Sequence, residues 1–438
     1  MTVSATGPRP AAPAKPERLL SLDAFRGLTI LVMVFVIAVA AFRYEQEAVS
    51  LPQRMEWFGS LPVSTWFHAE VGYNLWEQQQ LAAGATPEQI AQMPEHRLKG
   101  IGVTVTDLVA PWFVFIVGVA IPLSRQRRGA DFWRHALWRT ALLILVGVLY
   151  LSLVIRQISW WWGVLQAIGI AYLCGALVMK LPSAGRWAAV LIAGGLNLAL
   201  TETTSWWTGA WEGIVAPFGT LQNPGGNWLL PLSRHCQPWL SISYGVMTMI
   251  GVLVGEVIVT REPRRIAARC LLVAAVFMGL GYGLHRAGFA TGNHSLCMSK
   301  PDVTTSYAFF TAGFGALVFL VFHWVIDVWK IRAWTAPLRV FGVNPLLAYF
   351  MMIGMRRFFD AVGITSQDGM SGFFSRVTEQ NAVVMNWATW IGGGQPSQAV
   401  LDFFDKGGYQ GVMWGLVWTA LLWLIVLWFN RRQLYWKL

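Results

Sequence analysis

The stretch from Leu19 to Phe42, LLSLDAFRGLTILVMVFVIAVAAF, constrains this chain more than any other. From Gly27 to Phe42 it carries no charge, and as a helix those residues run about 24 Å at about 1.5 Å per residue. Extended back through Asp23 and Arg26, the helix is long enough for an apolar layer of about 30 Å. Asp23 and Arg26 lie three positions apart, share a helix face near one end and can pair. A paired charge followed by an unbroken apolar run reads as a first membrane span.

The same length scale recurs downstream. With 20–42, apolar segments at roughly 103–124, 136–155, 160–179, 186–203, 238–259, 266–284, 306–328, 336–355 and 409–429 predict an all-α, polytopic transmembrane helix bundle of about ten spans. Of the 438 residues, 55% are hydrophobic and only 13% are charged, where a soluble domain carries about 25%. The 25 tryptophans suit the membrane–water interface. The net charge of +11 does not require nucleic acid, because the basic residues fall in short connections between apolar segments.

Those connections set the orientation. One set carries Arg125, Arg127, Arg128 and Arg134, then Lys180 and Arg186, then Arg261, Arg264, Arg265 and Arg269, then Lys330, Arg332 and Arg339. Lys15 and Arg18 at one end, and Arg431, Arg432 and Lys437 at the other, belong with it. The alternate connections, 43–102, 204–237, 285–305 and 356–408, are long, sparsely basic and rich in Trp, Gly and Pro. Both termini are therefore expected at the cytoplasmic face of an inner (cytoplasmic) membrane, with four large loops outside. Residues 1–17, Pro/Ala-rich and without an apolar core, are expected to be a disordered cytoplasmic tail without a cleavable signal. Residues 18–438 then form a single transmembrane domain, with no strong internal repeat.

Walker A loops, dinucleotide glycine fingerprints and metal-spaced Cys/His clusters are absent from the sequence, so no metal is expected. The informative polar residues are outside. His68, His96, His235, His285 and His294 fall in outer loops or at the outer membrane face, and Asp107 falls at the outer end of the second segment. An acid inside a span is costly and implies a functional or paired role. A carboxylate beside a histidine orients the imidazole and raises its basicity, as a general base requires. The plainer alternatives are solvated histidines and an Asp107 that only pins its helix. Gln166, Asn197, Asn344 and the pair His323 and Asp327 are buried polar groups of the spans. Asn344 precedes Pro345, which predicts a break that lines a cavity, and Pro111 marks another such break. For Asn197 an inter-helix hydrogen bond is expected. In ATPEQIAQM, Thr86 is placed as an N-cap with Glu88 and Gln89 in the first turn. Cys174 and Cys270 read as core residues, while Cys236 and Cys297 lie in outer loops and either pair or remain thiols.

With these residues in view, RLLSLDAFRGLTILVMVF resembles the first-span signature of the transmembrane N-acetyltransferases related to heparan-α-glucosaminide N-acetyltransferase. VTVTDLVAPWFVFIVGVAIPLS is similar to the second-span signature, and GVLQAIGIAYL, KPDVTTSYAFFTAG, FGVNPLLAYF and NRRQLYWKL follow in the family's order. The resemblance implies a polytopic enzyme that moves an acetyl group from cytosolic acetyl-CoA, as co-substrate, to an amino sugar or similar amine across the membrane. It implies a catalytic histidine in the loop before the second span. WFHAE matches that position by identity at His68, and HRLKGIGVTVTDL matches it by spacing at His96. Asp107 stands beside it. Arg26, Arg125, Arg127 and Arg128 are candidates for the phosphates of the donor, and Gln166 and Asn344 are further candidates for binding it. Where lysosomal-pattern relatives carry an Asn late in the first span, this chain has Ile37. The rival readings are a polytopic transporter or flippase, an acyltransferase with another acyl group or acceptor, and a non-catalytic family member. Expected partners are the lipid bilayer and a small-molecule or glycan acceptor, not nucleic acid, with a homodimer left open.

Overall fold

The computed structural model describes residues 19–41, 79–93, 101–103, 105–155, 162–203, 238–300, 302–361 and 408–436. Among these residues every regular element is helical, and the one extended pairing is an isolated antiparallel bridge between Ile101 and Ser299. The helices are α1 (Leu20–Ala41), α2 (Pro87–Gln92), α3 (Val109–Arg128), α4 (Phe132–Ile155), α5 (Val164–Val178), α6 (Ser183–Thr203), α7 (Ser241–Ile258), α8 (Pro263–Thr291), α9 (Thr305–Phe322), α10 (Ala336–Val343), α11 (Pro345–Ala361) and α12 (Gly408–Arg431).

Among the described residues, six stretches are long and apolar enough to cross a membrane: Leu20–Ala38, Val109–Tyr150, Ser183–Thr203, Ser241–Ile258, Pro263–Thr291 and Thr305–Val328. The second of these runs through α3 and α4 and the turn Gly129–Asp131 between them. Val164–Val178 and Gly415–Arg431 are apolar but shorter. Each of the ten apolar segments expected from the sequence contains helix among the described residues, and six stretches meet the length and apolarity of a span there, one of them made of two helices.

Burial separates the centre from the rim. In α7, 83% of the apolar window is buried, against 22% in α6 and 33% in α8. So α7 is the hub, while α6 and α8 present leucines such as Leu191, Leu196, Leu271 and Leu272 outward. On a soluble protein such side chains would be a liability. In a bilayer they face lipid.

The close helix contacts use missing side chains. A Cβ on Gly118 of α3 would lie 2.0 Å from the Thr248 carbonyl of α7, and one on Gly251 would lie 2.2 Å from the Phe115 carbonyl. Gly251 and Gly255 thus form a small-residue stripe that lets two backbones touch, the usual route to tight association in lipid. The α1–α10 crossing is tighter. A Cβ on Gly27 or on Gly342 would come within 1.8 Å of a carbonyl oxygen, Leu338 and Asp23 respectively.

Local expectations are met at several points. Asp23 and Arg26 pair at 3.5 Å. His323 Nδ1 and Asp327 Oδ2 are 3.1 Å apart, on a π-turn, His323–Val328, that continues α9. Asn197 Nδ2 donates to Thr305 Oγ1 at 3.0 Å, joining α6 to α9. Thr86 caps α2 with a reciprocal capping box through Gln89. The backbone N–H at that helix start and the Thr86 hydroxyl hold the Glu88 carboxyl below its ordinary range. The chain breaks at Asn344, which separates α10 from α11.

Two expectations are corrected. Pro111 lies in the first turn of α3, where its missing N–H costs nothing, so it begins a helix and does not break one. Asp107 is not inside the second span. It sits on a single 3-10 turn, Val105–Leu108, immediately ahead of α3.

Candidate functional site

The outer end of the bundle gathers polar groups around Asp107. Its side chain is 9% exposed, and Lys300 Nζ lies 2.8 Å from its Oδ1. Tyr307, at the start of α9 and 2% exposed, donates its hydroxyl to the Asp107 carbonyl oxygen. The head of α3 is thus fastened to the head of α9 through both its backbone and its carboxylate. The Ile101–Ser299 bridge continues the seam, with Gly102 N donating to the Met298 carbonyl at 2.7 Å.

Lys300 is held by the turn that carries it. Ser299 N donates to Thr304 Oγ1 at 3.0 Å, Ser299 Oγ donates to Asp302 Oδ2 at 2.8 Å, and Thr304 Oγ1 donates to the Cys297 carbonyl at 2.8 Å. Ser243 of α7 donates its hydroxyl to the Val303 carbonyl at 2.7 Å. Val303 has φ = 46°, a left-handed conformation that a β-branched residue rarely adopts. Strain of this kind persists only where the surroundings over-determine it, and it concentrates at working sites. His285 supports the turn from α8, its Nδ1 accepting from Met298 N at 3.0 Å. This outer-face histidine is therefore a buried structural acceptor on its Nδ1 side, and the imidazole packs on Phe289.

The expected histidines His68 and His96 lie outside the described residues, as do His235 and Cys236. The Cys236–Cys297 pairing cannot be placed, but Cys297 is buried, with Sγ 3.5 Å from the Asn293 carbonyl. Ile37 is exposed on α1.

The remaining candidates do not meet Asp107. Arg26 reaches Asp23 and the Gly342 carbonyl, the latter at 3.4 Å. Arg125 donates to the Met179 carbonyl, and Arg127 Nε to the Leu123 carbonyl of its own helix at 3.3 Å. Arg128 is exposed and makes no hydrogen bond or ion pair among the described residues. These four lie toward the opposite end of α1 and α3 from Asp107. Gln166 is buried on α5 and fits against Gly147, where a Cβ would stand 2.2 Å from its Oε1. Asn344, fully buried at the break, donates to the Leu434 carbonyl at 2.9 Å and accepts from Trp436 N at 3.0 Å. It secures the stretch that follows α12.

Sequence reasoning did not single out Lys300. It belongs to KPDVTTSYAFFTAG, and the signal was available: a lysine beside an acid in a connection set otherwise poor in positive charge. Among the described residues no group of three or more His, Cys, Asp or Glu could hold a metal ion.

A family model described as "Heparan-alpha-glucosaminide N-acetyltransferase, catalytic" matches residues 88–280 and so includes Asp107, α3 and α7. Human heparan-alpha-glucosaminide N-acetyltransferase is 25% identical over 408 residues, covering 77% of this chain and 53% of the human protein. The mouse protein of the same name is 38% identical over 89 residues, covering 18% of this chain and 14% of the mouse protein. The chain thus spans about half the length of its human relative. In the order of its motifs and in these matches, the chain is similar to the heparan-alpha-glucosaminide N-acetyltransferase family.

Proposed function

We propose that this chain is a membrane-embedded acetyltransferase that passes an acetyl group from cytosolic acetyl-CoA to an amine, of the amino-sugar class, at the outer face. The observation that carries this reading is the Asp107–Lys300 pair at the head of α3, whose buried acid Asp107 lies in the segment that matches the catalytic family model. The helices support a multi-pass protein, and the basic connections favour about ten crossings with both ends of the chain cytoplasmic. In that arrangement the three remaining apolar segments, 160–179, 336–355 and 409–429, cross as well.

In this reading the acceptor amine must lose a proton and the thioester carbonyl must meet either that amine or a histidine. His68 or His96 takes the proton, or takes the acetyl group and hands it on. Asp107 holds the imidazole, and Lys300 with Tyr307 holds Asp107. Acetyl-CoA supplies the activated acetyl group. Its phosphates are anionic, and Arg127 and Arg128, exposed at the last turn of α3, would meet them, with Arg125 three residues inside that end and Arg26 in the second turn of α1. Gln166 and Asn344, both buried, are the further residues assigned to donor binding.

The test is amine-dependent release of CoA from acetyl-CoA by purified protein, with glucosamine as the first acceptor. Release that depends on the amine and disappears in Asp107→Asn supports the reading. Acetyl-CoA left intact by folded protein with every amine offered contradicts it.

A further inference from the structure

Two clusters of cations lie toward the same end of the bundle, and they are neutralised differently. At the first, Glu256 of α7 bonds both Arg186 and Arg269 and also accepts from Ser183 Oγ at 2.9 Å. The second lies where α3, α4 and α5 meet. There Arg125 rests on the Met179 carbonyl, Lys180 Nζ lies 4.4 Å from the centre of the Trp133 ring, and Arg139 lies 4.7 Å from the centre of the Tyr172 ring. Each of these cations meets a neutral group. Asp131, on the turn between α3 and α4, makes no ion pair among the described residues.

Arg139 is the telling member. It lies in the second turn of α4, inside a stretch apolar enough to span a membrane. Its Nε is buried without a hydrogen-bond partner among the described residues, and the guanidinium lies against Tyr172, a residue 1% exposed, and acts on its hydroxyl. The charge of Arg128 is close enough to act on Arg139. A guanidinium held in a membrane helix by a neighbouring cation and a ring, with no carboxylate paired to it among the described residues, is suited to an anion from elsewhere. A planar donor fork beside a buried hydroxyl suits the oxygens of a phosphate. The neighbouring residues on α4, Leu137 and Trp138, are 57% and 63% exposed, so this part of α4 borders the face that lipid would cover.

We propose that Arg139 and Tyr172, aided by Arg128, form a site for a phosphate group at the membrane interface, with the head group of an anionic phospholipid as the source that the lipid-facing opening favours. The same oxygens would be offered by a soluble nucleotide phosphate. The site does not depend on the acetyl-transfer reading, since a lipid would fill it even if the chain transferred nothing.

The experiment uses the full chain in nanodiscs of phosphatidylcholine, with phosphatidylglycerol titrated in and bound lipid counted by native mass spectrometry. The expected result is retained phosphatidylglycerol and a rise in melting temperature, with Arg139→Gln weakening retention at least tenfold. Tyr172→Phe, which keeps the ring, should weaken it less, and Arg139→Lys should fall between. A second arm adds free CoA: displacement of the lipid by CoA assigns the phosphate to a nucleotide, and no displacement assigns it to lipid. Equal retention of phosphatidylglycerol and of CoA by wild type, folded Arg139→Gln and Tyr172→Phe would overturn the proposal. So would binding of neither probe by the wild type.

Discussion

Lys300 Nζ and Asp107 Oδ1 are 2.8 Å apart, although one residue precedes α3 and the other precedes α9. The pair closes the outer end of the bundle and ties Asp107 to a distant turn. Removing Lys300 would leave the buried Asp107 carboxylate without this partner. Lys300→Met should therefore reduce acetyl transfer about 100-fold through misplacement of Asp107. Lys300→Arg should recover most of it. The double variant Lys300→Met/Asp107→Asn should be no worse than either single change, because both break one unit. Additive losses in a kcat comparison would show that the two residues act separately.

The histidine is assigned by comparing His68→Ala with His96→Ala. Loss of a general base costs about 10² to 10⁴ in rate. His68→Ala should abolish transfer and leave acetyl-CoA binding intact, because the basic helix ends lie at the other face, while His96→Ala should be milder. The reverse order would show that spacing to Asp107, not the His-Ala match, marks the catalytic position. Near-wild-type transfer by both folded variants would remove histidine from the mechanism.

The α1–α10 crossing predicts a stability effect without chemistry. A methyl group at Gly27 or Gly342 has no room, with a carbonyl oxygen 1.8 Å from each ideal Cβ. Overpacking of this kind costs about 1–3 kcal/mol. Gly27→Ala and Gly342→Ala should each lower the melting temperature, whereas Gly195→Ala, with nothing within 4 Å of its Cβ, should not. Unchanged melting of Gly27→Ala would contradict the described contact.

Topology is tested by labelling single cysteines in a cysteine-free background in intact cells. Gln89 on α2 and Gly129 between α3 and α4 are both exposed. An impermeant maleimide should modify a cysteine at position 89 and spare one at 129. Modification at 129 from outside would overturn the orientation derived from the basic connections.

Much of this arrangement was legible in the sequence because membrane helices carry long, one-dimensional signals. Apolar runs locate α1, α7 and α9 within a few residues, and Asn344–Pro345 marks the α10–α11 break. Short-range pairs such as Asp23–Arg26 and His323–Asp327 follow from helical spacing alone. The Asp107–Lys300 pair did not, because nothing in local periodicity links two turns that meet only when α3 and α9 pack on α7. Asp107 was placed one turn too deep for a related reason: its apolar neighbours, Val105 and Leu108, continue the hydrophobic run into the 3-10 turn. The role of Arg139 was hidden too. A basic residue near a helix end is explained by membrane orientation until its missing counter-charge is seen.

The central claim is that the chain transfers acetyl groups through a site that includes Asp107 and Lys300. The most direct measurement is transfer by purified protein in sealed proteoliposomes, with acetyl-CoA on the side of the basic connections and radiolabelled glucosamine on the other. The account predicts labelled N-acetylglucosamine on the acceptor side, free CoA on the donor side, and loss of both with Asp107→Asn and with Lys300→Met but not with Lys300→Arg. Intact acetyl-CoA and unmodified glucosamine over well-folded wild-type protein, or equal transfer by wild type and Asp107→Asn, would contradict it.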